Sequence, residues 1–314
     1  MIFAARLSLV LLAAFGLATL MLSAVLALAW HGGLGRARLT SGDLLAARLF
    51  PVGGGLIVAL TGVLPAFLLY EPAHEPEAIG PLVIAFALLA LATLLHGVAR
   101  GERAYLAARR ILRGVGSLEP GSAPEGEAFA LVDAAEPIVA VVGGWRPRII
   151  AARSVLAACE PDEWRQVLAH EAAHVVALDN LKFLLLLASP DALAWTPLAA
   201  SLKARWRAAT EFEADERAAG GDPRKRIALA SALLKVARLS SGGRGPRAEL
   251  SISVASADVE ERVRRLLRHE PSDTPRRLLV REALGACALL IPPLAVPLYP
   301  RIQDLTELLV RLGS

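Results

Sequence analysis

Long runs of apolar residues constrain this chain more than any other feature. Four segments approach the roughly 20 apolar residues that a helix needs to cross a bilayer, and they are Leu7–Trp30, Val52–Tyr70, Ile79–Val98 and Ala283–Tyr299. Apolar residues make up 55% of the 314 positions, which is more than an ordinary soluble domain carries. The sequence therefore predicts a helical polytopic membrane protein, with the lipid bilayer as one of its partners.

Arginine is distributed unevenly among the loops that join these segments. The loop after the first segment holds Arg36, Arg38 and Arg48, and further arginines follow the third segment and precede the fourth. The second loop holds only acidic charges. Loops rich in Lys and Arg stay in the cytoplasm. We therefore expect the N-terminus on the outer side of the inner membrane and residues 100–281 in the cytoplasm. We interpret the arginine excess as a topology signal and expect no direct nucleic-acid partner.

These signals predict four parts of the chain. Residues 1–99 form three transmembrane helices, 100–281 form a cytoplasmic domain, 282–300 form a fourth transmembrane helix, and 301–314 are a short extracytoplasmic tail. The fifth apolar stretch, 181–200, is interrupted by Ser189-Pro190-Asp191, and we expect a broken hairpin that lies against the membrane. A full span there would move Glu211 to the other side of the bilayer from His170.

The cytoplasmic part reads as mainly α with a small β-sheet. Short runs of β-branched and apolar residues bounded by Gly and Pro predict strands, and acidic residues with an early proline predict a helix start at Glu160. The predicted elements are a basic amphipathic helix at Glu102–Leu112, a linker at Gly114–Glu127, strands at Ala128–Val132, Ile138–Val142 and Arg148–Ala151, and a helix at Pro223–Leu239.

Two short motifs carry the chemistry. His170 and His174 stand four residues apart, which places both rings on one face of a helix, where they can share a zinc ion. Glu171 projects about 100° away around the helix and can act as a general base. Downstream, Glu211 can supply the third ligand, and Asp215, one helical turn later, can orient a ligating histidine.

Two other polar groups have structural interpretations. Asp179-Asn180 is expected to cap the next helix rather than to serve the metal. The arginines at 262, 264, 265 and 268 are typical of a solvated helix face near the membrane, with a surface for docking a partner as the second interpretation.

The motifs resemble those of two related gluzincin families. The runs HEAAHVVALDN and EFEAD are similar to those of the membrane peptidases grouped around the HtpX heat-shock protease and the CAAX prenyl protease. The layout resembles more closely the antirepressor family of beta-lactam sensor-transducers BlaR and MecR, with three N-terminal spans, a zinc domain and one last span. The segment Glu136–Ile150 is similar to the strand pair that precedes the histidine motif in both families, and Val259–Val263 resembles the Glu-Arg-hydrophobic segment that follows their glutamate ligand.

The resemblance implies a zinc metalloendopeptidase whose ligands are His170, His174 and Glu211, with Glu171 catalytic and Asp215 orienting a histidine. It implies cleavage of a protein on the cytoplasmic side, such as a transcriptional repressor, and allows a homodimer. The alternatives are an HtpX-like quality-control protease and, from another class, a non-catalytic receptor or scaffold with a structural zinc site. Ser256-Ala257 stands where HtpX-like enzymes often carry His-Pro, so a histidine that stabilises the oxyanion is not indicated.

Overall fold

Helices make up most of the chain in the computed structural model, which describes residues 2–70, 79–114, 119–122, 128–134, 136–240, 256–268 and 296–311. The helices are α1 Ile2–Gly32, α2 Ser41–Ile57, α3 Leu64–Tyr70, α4 Pro81–Gly114, α5 Arg153–Ala158, α6 Pro161–Ala177, α7 Asp179–Ala188, α8 Pro197–Ala219, α9 Pro223–Ser240, α10 Ser256–Arg268 and α11 Tyr299–Arg311. The strands are β1 Glu119–Ser122, β2 Ala128–Val132, β3 Val139–Val142 and β4 Arg148–Ala152. The predicted fold class, mainly α with a small sheet, is confirmed.

Contacts divide the chain into two compact units. The first unit comprises the described parts of Met1–Arg100, Ala188–Lys203 and Pro275–Ser314, and the second comprises those of Gly101–Leu187 and Ala204–Thr274. The segment that we expected to lie against the membrane thus falls largely in the unit that holds the N-terminal apolar helices.

Among the described residues, three helical stretches are long and apolar enough to cross a membrane, namely Phe3–Gly32, Ser41–Tyr70 and Pro81–Arg110. The second begins at Ser41 rather than at Val52, because a capping box between Thr40 and Asp43 starts the helix there. It continues through a π-helical turn at Val58–Val63 into α3. The third contains the predicted basic helix as its own C-terminal part.

Most of the predicted fourth span lies outside the described residues. Its last residues form a 3₁₀ turn at Val296–Leu298, and Tyr299 begins α11. The Tyr299 hydroxyl donates a hydrogen bond to the carbonyl of Thr61, 3.0 Å away. The stretch that we predicted to be a tail therefore starts as a helix that contacts the π-helical turn.

Small residues let the apolar helices of the first unit approach closely. A Cβ added to Gly16 of α1 would stand 2.3 Å from the carbonyl oxygen of Phe86 in α4. Around this contact, Phe15, Ala59 and Ala90 form one buried apolar cluster. Close packing of this kind stabilises helices in lipid, where the hydrophobic effect between helices is weak.

A buried ion pair joins α2 to the 188–203 segment within the first unit. Arg48 and Asp191 are both 0% exposed and form a very short contact, and the Ser189 hydroxyl contacts Arg48 at 3.1 Å and Asp191 at 2.8 Å. We predicted Arg48 to be a loop charge that reports topology. It is instead a helical residue whose charge is neutralised by a partner, so it adds little to the loop count.

The second unit is built on a four-stranded mixed sheet in the order β1-β2-β4-β3. β2 pairs with β4 in parallel, with Ala130 opposite Ile150, and β1 and β3 are antiparallel edge strands. β1 falls within the stretch that we predicted to be a linker, because its sequence, Glu-Pro-Gly-Ser, has none of the apolar alternation on which strand prediction depends.

Helix α6 packs on this sheet through the core of the second unit. Trp164 and Leu168 of α6 join Ile150 of β4 in one buried cluster, and the Phe129 ring meets Trp164 edge-on at 5.3 Å. Burying one apolar side chain of this size stabilises a fold by roughly 1.5–3 kcal/mol. The sheet therefore holds the helix that carries the histidine motif.

Candidate metal centre

Helix α6 begins where the sequence predicts and runs through both histidines. Pro161 occupies the first turn, and Glu160 and Glu163 form a reciprocal capping box, which satisfies two of the free N–H groups at the helix start. His170 and His174 lie on the buried side of the helix, one turn apart. The predicted periodicity thus brings both rings to the same place.

The two imidazole rings face each other through their Nε2 atoms. These nitrogens are 3.1 Å apart, and the rings meet nearly at right angles. Each Nδ1 stands beside a carboxylate, since His170 Nδ1 lies 3.0 Å from Asp215 and His174 Nδ1 lies 2.8 Å from Asp179. When each ring is neutral with its proton on Nδ1, the two Nε2 lone pairs are directed at one point, which is the arrangement that a shared cation satisfies.

Helix α8 adds the predicted carboxylates. Glu211 lies 3.5 Å from His170 Nε2 and 3.7 Å from His174 Nε2. One ligand atom from each of these three residues falls within 4.8 Å of the others, and all three side chains are buried. The structure therefore brings together His170, His174, Glu211 and Asp215, the four residues that we predicted to form and support a metal site.

Asp179 contacts the candidate centre, although the sequence predicted only a helix cap at this position. Helix α6 ends at Leu178, which adopts a left-handed conformation with φ of 56°. This residue separates α6 from α7, and Asp179, the first residue of α7, contacts His174. The neighbouring Asn180 donates hydrogen bonds to the carbonyls of Val141 and Gly143. The pair therefore holds the histidine and the edge of the sheet rather than only capping a helix.

Arg262 is the second such residue. We predicted that Arg262 lies on a solvated helix face, but its side chain is 2% exposed and contacts Glu211 and Asp215, each at 2.6 Å. The other three arginines of that cluster are exposed, as expected. The signal that identifies Arg262 is helical spacing, because it shares one face of α10 with the buried Val259 and Leu266.

The charges of the centre are strongly coupled. Although burial opposes its charge, contacts with Asp215 and Glu211 raise the pKa of His170 to about 9. Burial likewise opposes the charge of Asp215, yet His170 and Arg262 lower its pKa to about 2. Arg262 and the two histidines also hold the pKa of Glu211 below its ordinary value against the effect of burial. The carboxylates are thus ionised at neutral pH, and a metal that binds His170 displaces a proton.

Glu171 has a different electrostatic environment from its neighbours. Its side chain is buried, and burial raises the pKa of its carboxyl above the ordinary glutamate value. A carboxylate whose pKa is closer to neutrality is a better proton acceptor and donor at physiological pH. Its environment therefore suits the general-base role that the motif predicts.

A family model matches the part of the chain that builds this centre. Residues 133–266 match the family described as BlaR1 peptidase M56. This part of the chain is similar to the BlaR/MecR-type membrane metallopeptidases. The match spans β3, β4 and α5 to α10, which carry every residue of the metal centre. Neither the comparison with curated proteins nor the comparison with solved structures finds a significant match.

The family and the geometry agree on the coarse chemistry. M56 members are peptidases, and the buried cluster of two histidines and a glutamate is compatible with a bound metal. Three apolar helices in the described residues agree with a membrane protein. The described residues therefore combine a cluster that could hold a metal with helices long and apolar enough to cross a membrane.

Proposed function

We propose that this protein is a zinc-dependent endopeptidase that cleaves a protein on the cytoplasmic side of the inner membrane, in regulated signalling of the BlaR type. The observation that supports it best is the convergence of His170 Nε2, His174 Nε2 and a Glu211 oxygen within 4.8 Å. The M56 match over the same residues supports peptide hydrolysis as the reaction.

The donor set fits zinc. Two imidazole nitrogens and one carboxylate oxygen are the ligands of a catalytic zinc site, which keeps one position for water or substrate. Asp179, which is hydrogen-bonded to His174 Nδ1, fixes the tautomer of that ring in which Nε2 carries the lone pair, and Asp215 lies 3.0 Å from His170 Nδ1. His170, His174 and Glu211 would therefore hold the ion, and Asp215 and Asp179 would orient the rings.

Zinc, when bound there, supplies Lewis-acid activation of water and of the scissile carbonyl. Glu171 takes the proton of the attacking water as the C–O bond forms. It then delivers that proton to the amine nitrogen as the C–N bond breaks, so that no group on the protein is consumed. The burial that raises the pKa of Glu171 supports both halves of this proton transfer.

The substrate is a protein segment in an extended conformation. β3 lies at one edge of the sheet and packs beside α6, and an extended peptide can add main-chain hydrogen bonds to such an edge. The BlaR-type family supports a regulatory protein, such as a transcriptional repressor, as the target. The loop arginines that follow α4 and precede the C-terminal apolar segment support a cytoplasmic catalytic domain.

Replacement of Glu171 tests the catalytic assignment. We expect Glu171→Gln in the full-length chain, purified in detergent, to bind zinc stoichiometrically and to lose at least about a hundredfold in cleavage rate on a casein-type substrate. Glu213→Gln is the matched control, because Glu213 lies on α8 beside Glu211 but pairs with the exposed Arg217. Undiminished cleavage by Glu171→Gln, or absence of zinc from the wild type, would refute the proposal.

A comparison of cellular protein N-termini then tests the regulatory part. Cells with wild-type protein should contain new N-termini, in one or a few regulators, that are missing from cells with Glu171→Gln. A broad set of fragments from damaged membrane proteins would contradict regulated cleavage and leave the peptidase assignment intact.

A further inference from the structure

One arginine side chain contacts both carboxylates that α8 brings to the metal centre. Arg262 Nη1 lies 2.6 Å from Glu211 Oε2, while Nη2 and Nε bind the two oxygens of Asp215 at 2.6 and 2.8 Å. We propose that Arg262 is a positioning residue that presents Glu211 to the metal through a single oxygen and holds Asp215 against His170. The inference rests on the zinc site proposed above.

The shape of the guanidinium explains why one residue can do both tasks. Glu211 and Asp215 are separated by one helical turn of α8, so their carboxylates lie one above the other. A planar fork with five N–H donors can bind one carboxylate in a bidentate fashion and still reach a second. A lysine ammonium is a point charge and cannot fix two carboxylates in one plane. The arrangement is therefore specific to arginine.

The contact with Glu211 selects which oxygen is left for a metal. Oε2 forms an ion pair with Arg262 Nη1 at 2.6 Å and lies 3.5 Å from His170 Nε2, whereas Oε1 has no hydrogen-bond partner among the described residues and lies 3.7 Å from His174 Nε2. An oxygen that is held by a guanidinium donates its electron pair to a metal less well. Glu211 would therefore offer Oε1 to a metal while Arg262 holds Oε2, which would leave a position for water.

The contact with Asp215 acts on the histidine. Asp215 Oδ1 lies between Arg262 Nη2 at 2.6 Å and His170 Nδ1 at 3.0 Å. The arginine thus fixes the carboxylate that orients the His170 ring. Because three of its nitrogens are engaged by these carboxylates, the guanidinium sets the positions of ligands rather than contacting the peptide substrate.

Substitution of Arg262 in the full-length detergent-purified protein tests the inference. Arg262→Lys keeps the positive charge and Arg262→Gln removes it, while Arg264→Gln changes an exposed arginine of the same helix. The readouts are the zinc dissociation constant from chelator competition and the visible absorption of the cobalt-substituted protein, with circular dichroism to verify folding. The cobalt bands are intense for four-coordinate sites and weaken when a fifth ligand atom binds.

We expect Arg262→Lys to weaken zinc binding by about ten- to a hundredfold, the range found for residues that support metal ligands, and to weaken the cobalt bands as Glu211 becomes bidentate. Arg264→Gln should stay within about twofold of the wild type. If Arg262→Gln does not fold, Arg262→Lys decides the result. Equal zinc affinity and an equal cobalt spectrum in wild type and Arg262→Lys would overturn this inference alone, whereas a wild type without zinc would overturn the proposed function.

Discussion

The carboxylate of Asp179 offers the sharpest test of how the histidine rings are held. It lies 2.8 Å from His174 Nδ1 and is almost completely buried, so solvent cannot replace it. Asp179→Asn keeps the size of the side chain but removes the negative charge that fixes the Nδ1 proton. The amide can also present its N–H₂ group to Nδ1, which would favour the wrong tautomer and turn the lone pair away from the metal.

The expected cost follows from this geometry. Loss of a residue that orients a metal-ligating histidine weakens metal binding by about ten- to a hundredfold, which corresponds to roughly 1.4–2.7 kcal/mol. Asp215 supports the other ring, that of His170, and its own partners are His170 and Arg262. Because the Nε2 atoms of the two rings lie 3.1 Å apart and would share one metal, the losses of Asp179→Asn and Asp215→Asn should not simply add in the double variant.

Competition with a zinc chelator at pH 7 measures these losses in the full-length protein in micelles. Asp162→Asn is the control, since Asp162 is an acidic residue of the first turn of α6 whose ion-pair partner among the described residues is the exposed Arg165. Zinc affinity of Asp179→Asn within about twofold of the wild type would refute the reasoning that this carboxylate fixes the ring of His174.

Two further predictions concern stability. Although burial opposes its charge, hydrogen bonds from Lys235 and Ser231 hold the pKa of Glu163 below its ordinary value. The stability that the ionised Glu163 contributes is therefore present above the ordinary pKa and is lost as pH falls through the lowered one. The thermal midpoint of Glu163→Gln should fall less between pH 7 and pH 3 than that of the wild type, and parallel curves would contradict this prediction. Arg48→Met leaves the carboxylate of Asp191 buried without its partner, so it should lower the free energy of unfolding by about 3–5 kcal/mol. Adding Asp191→Leu should restore most of that loss. Denaturation curves in detergent compare the single and the double variant, and a double variant as unstable as Arg48→Met would contradict the prediction.

The part of the site that sequence reasoning predicted depends on local spacing. A helix of fixed pitch places His170 beside His174 and Glu211 beside Asp215 whatever the rest of the fold does. The start of α6 was likewise readable, because Glu160 and Pro161 act on the first turn of the same helix. These predictions needed no knowledge of tertiary contacts.

The residues that were missed depend on contacts between elements. Asp179 reaches His174 only because Leu178 adopts a left-handed turn, a conformation that leucine adopts rarely and that its sequence context does not signal. Arg262 reaches Asp215 across 47 positions of the chain. The charge of Arg262 suggested an exposed side chain. The spacing of the apolar residues around it on α10 instead places it on the buried face of the helix.

The bounds of the apolar helices show the same limit. Hydropathy locates the apolar centre of a span but not its ends, so the start of the second span at Ser41 was missed in favour of Val52. The capping box of Thr40 and Asp43 decides that start. Placing Arg48 within the helix would have required knowledge of Asp191, the residue that neutralises its charge.

The order of synthesis gives the Arg48–Asp191 pair a consequence for biogenesis. The acidic partner emerges from the ribosome 143 residues after the arginine, which at about 5–20 residues per second corresponds to roughly 7–30 s. During that interval the newly made second helix carries an uncompensated cation, which a bilayer accommodates only by local water or by lipid headgroups drawn inward. The N-terminal helices can therefore complete their packing only after segment 188–203, which carries Asp191, has been synthesised. A nascent chain arrested before Asp191 should remain an incompletely packed intermediate.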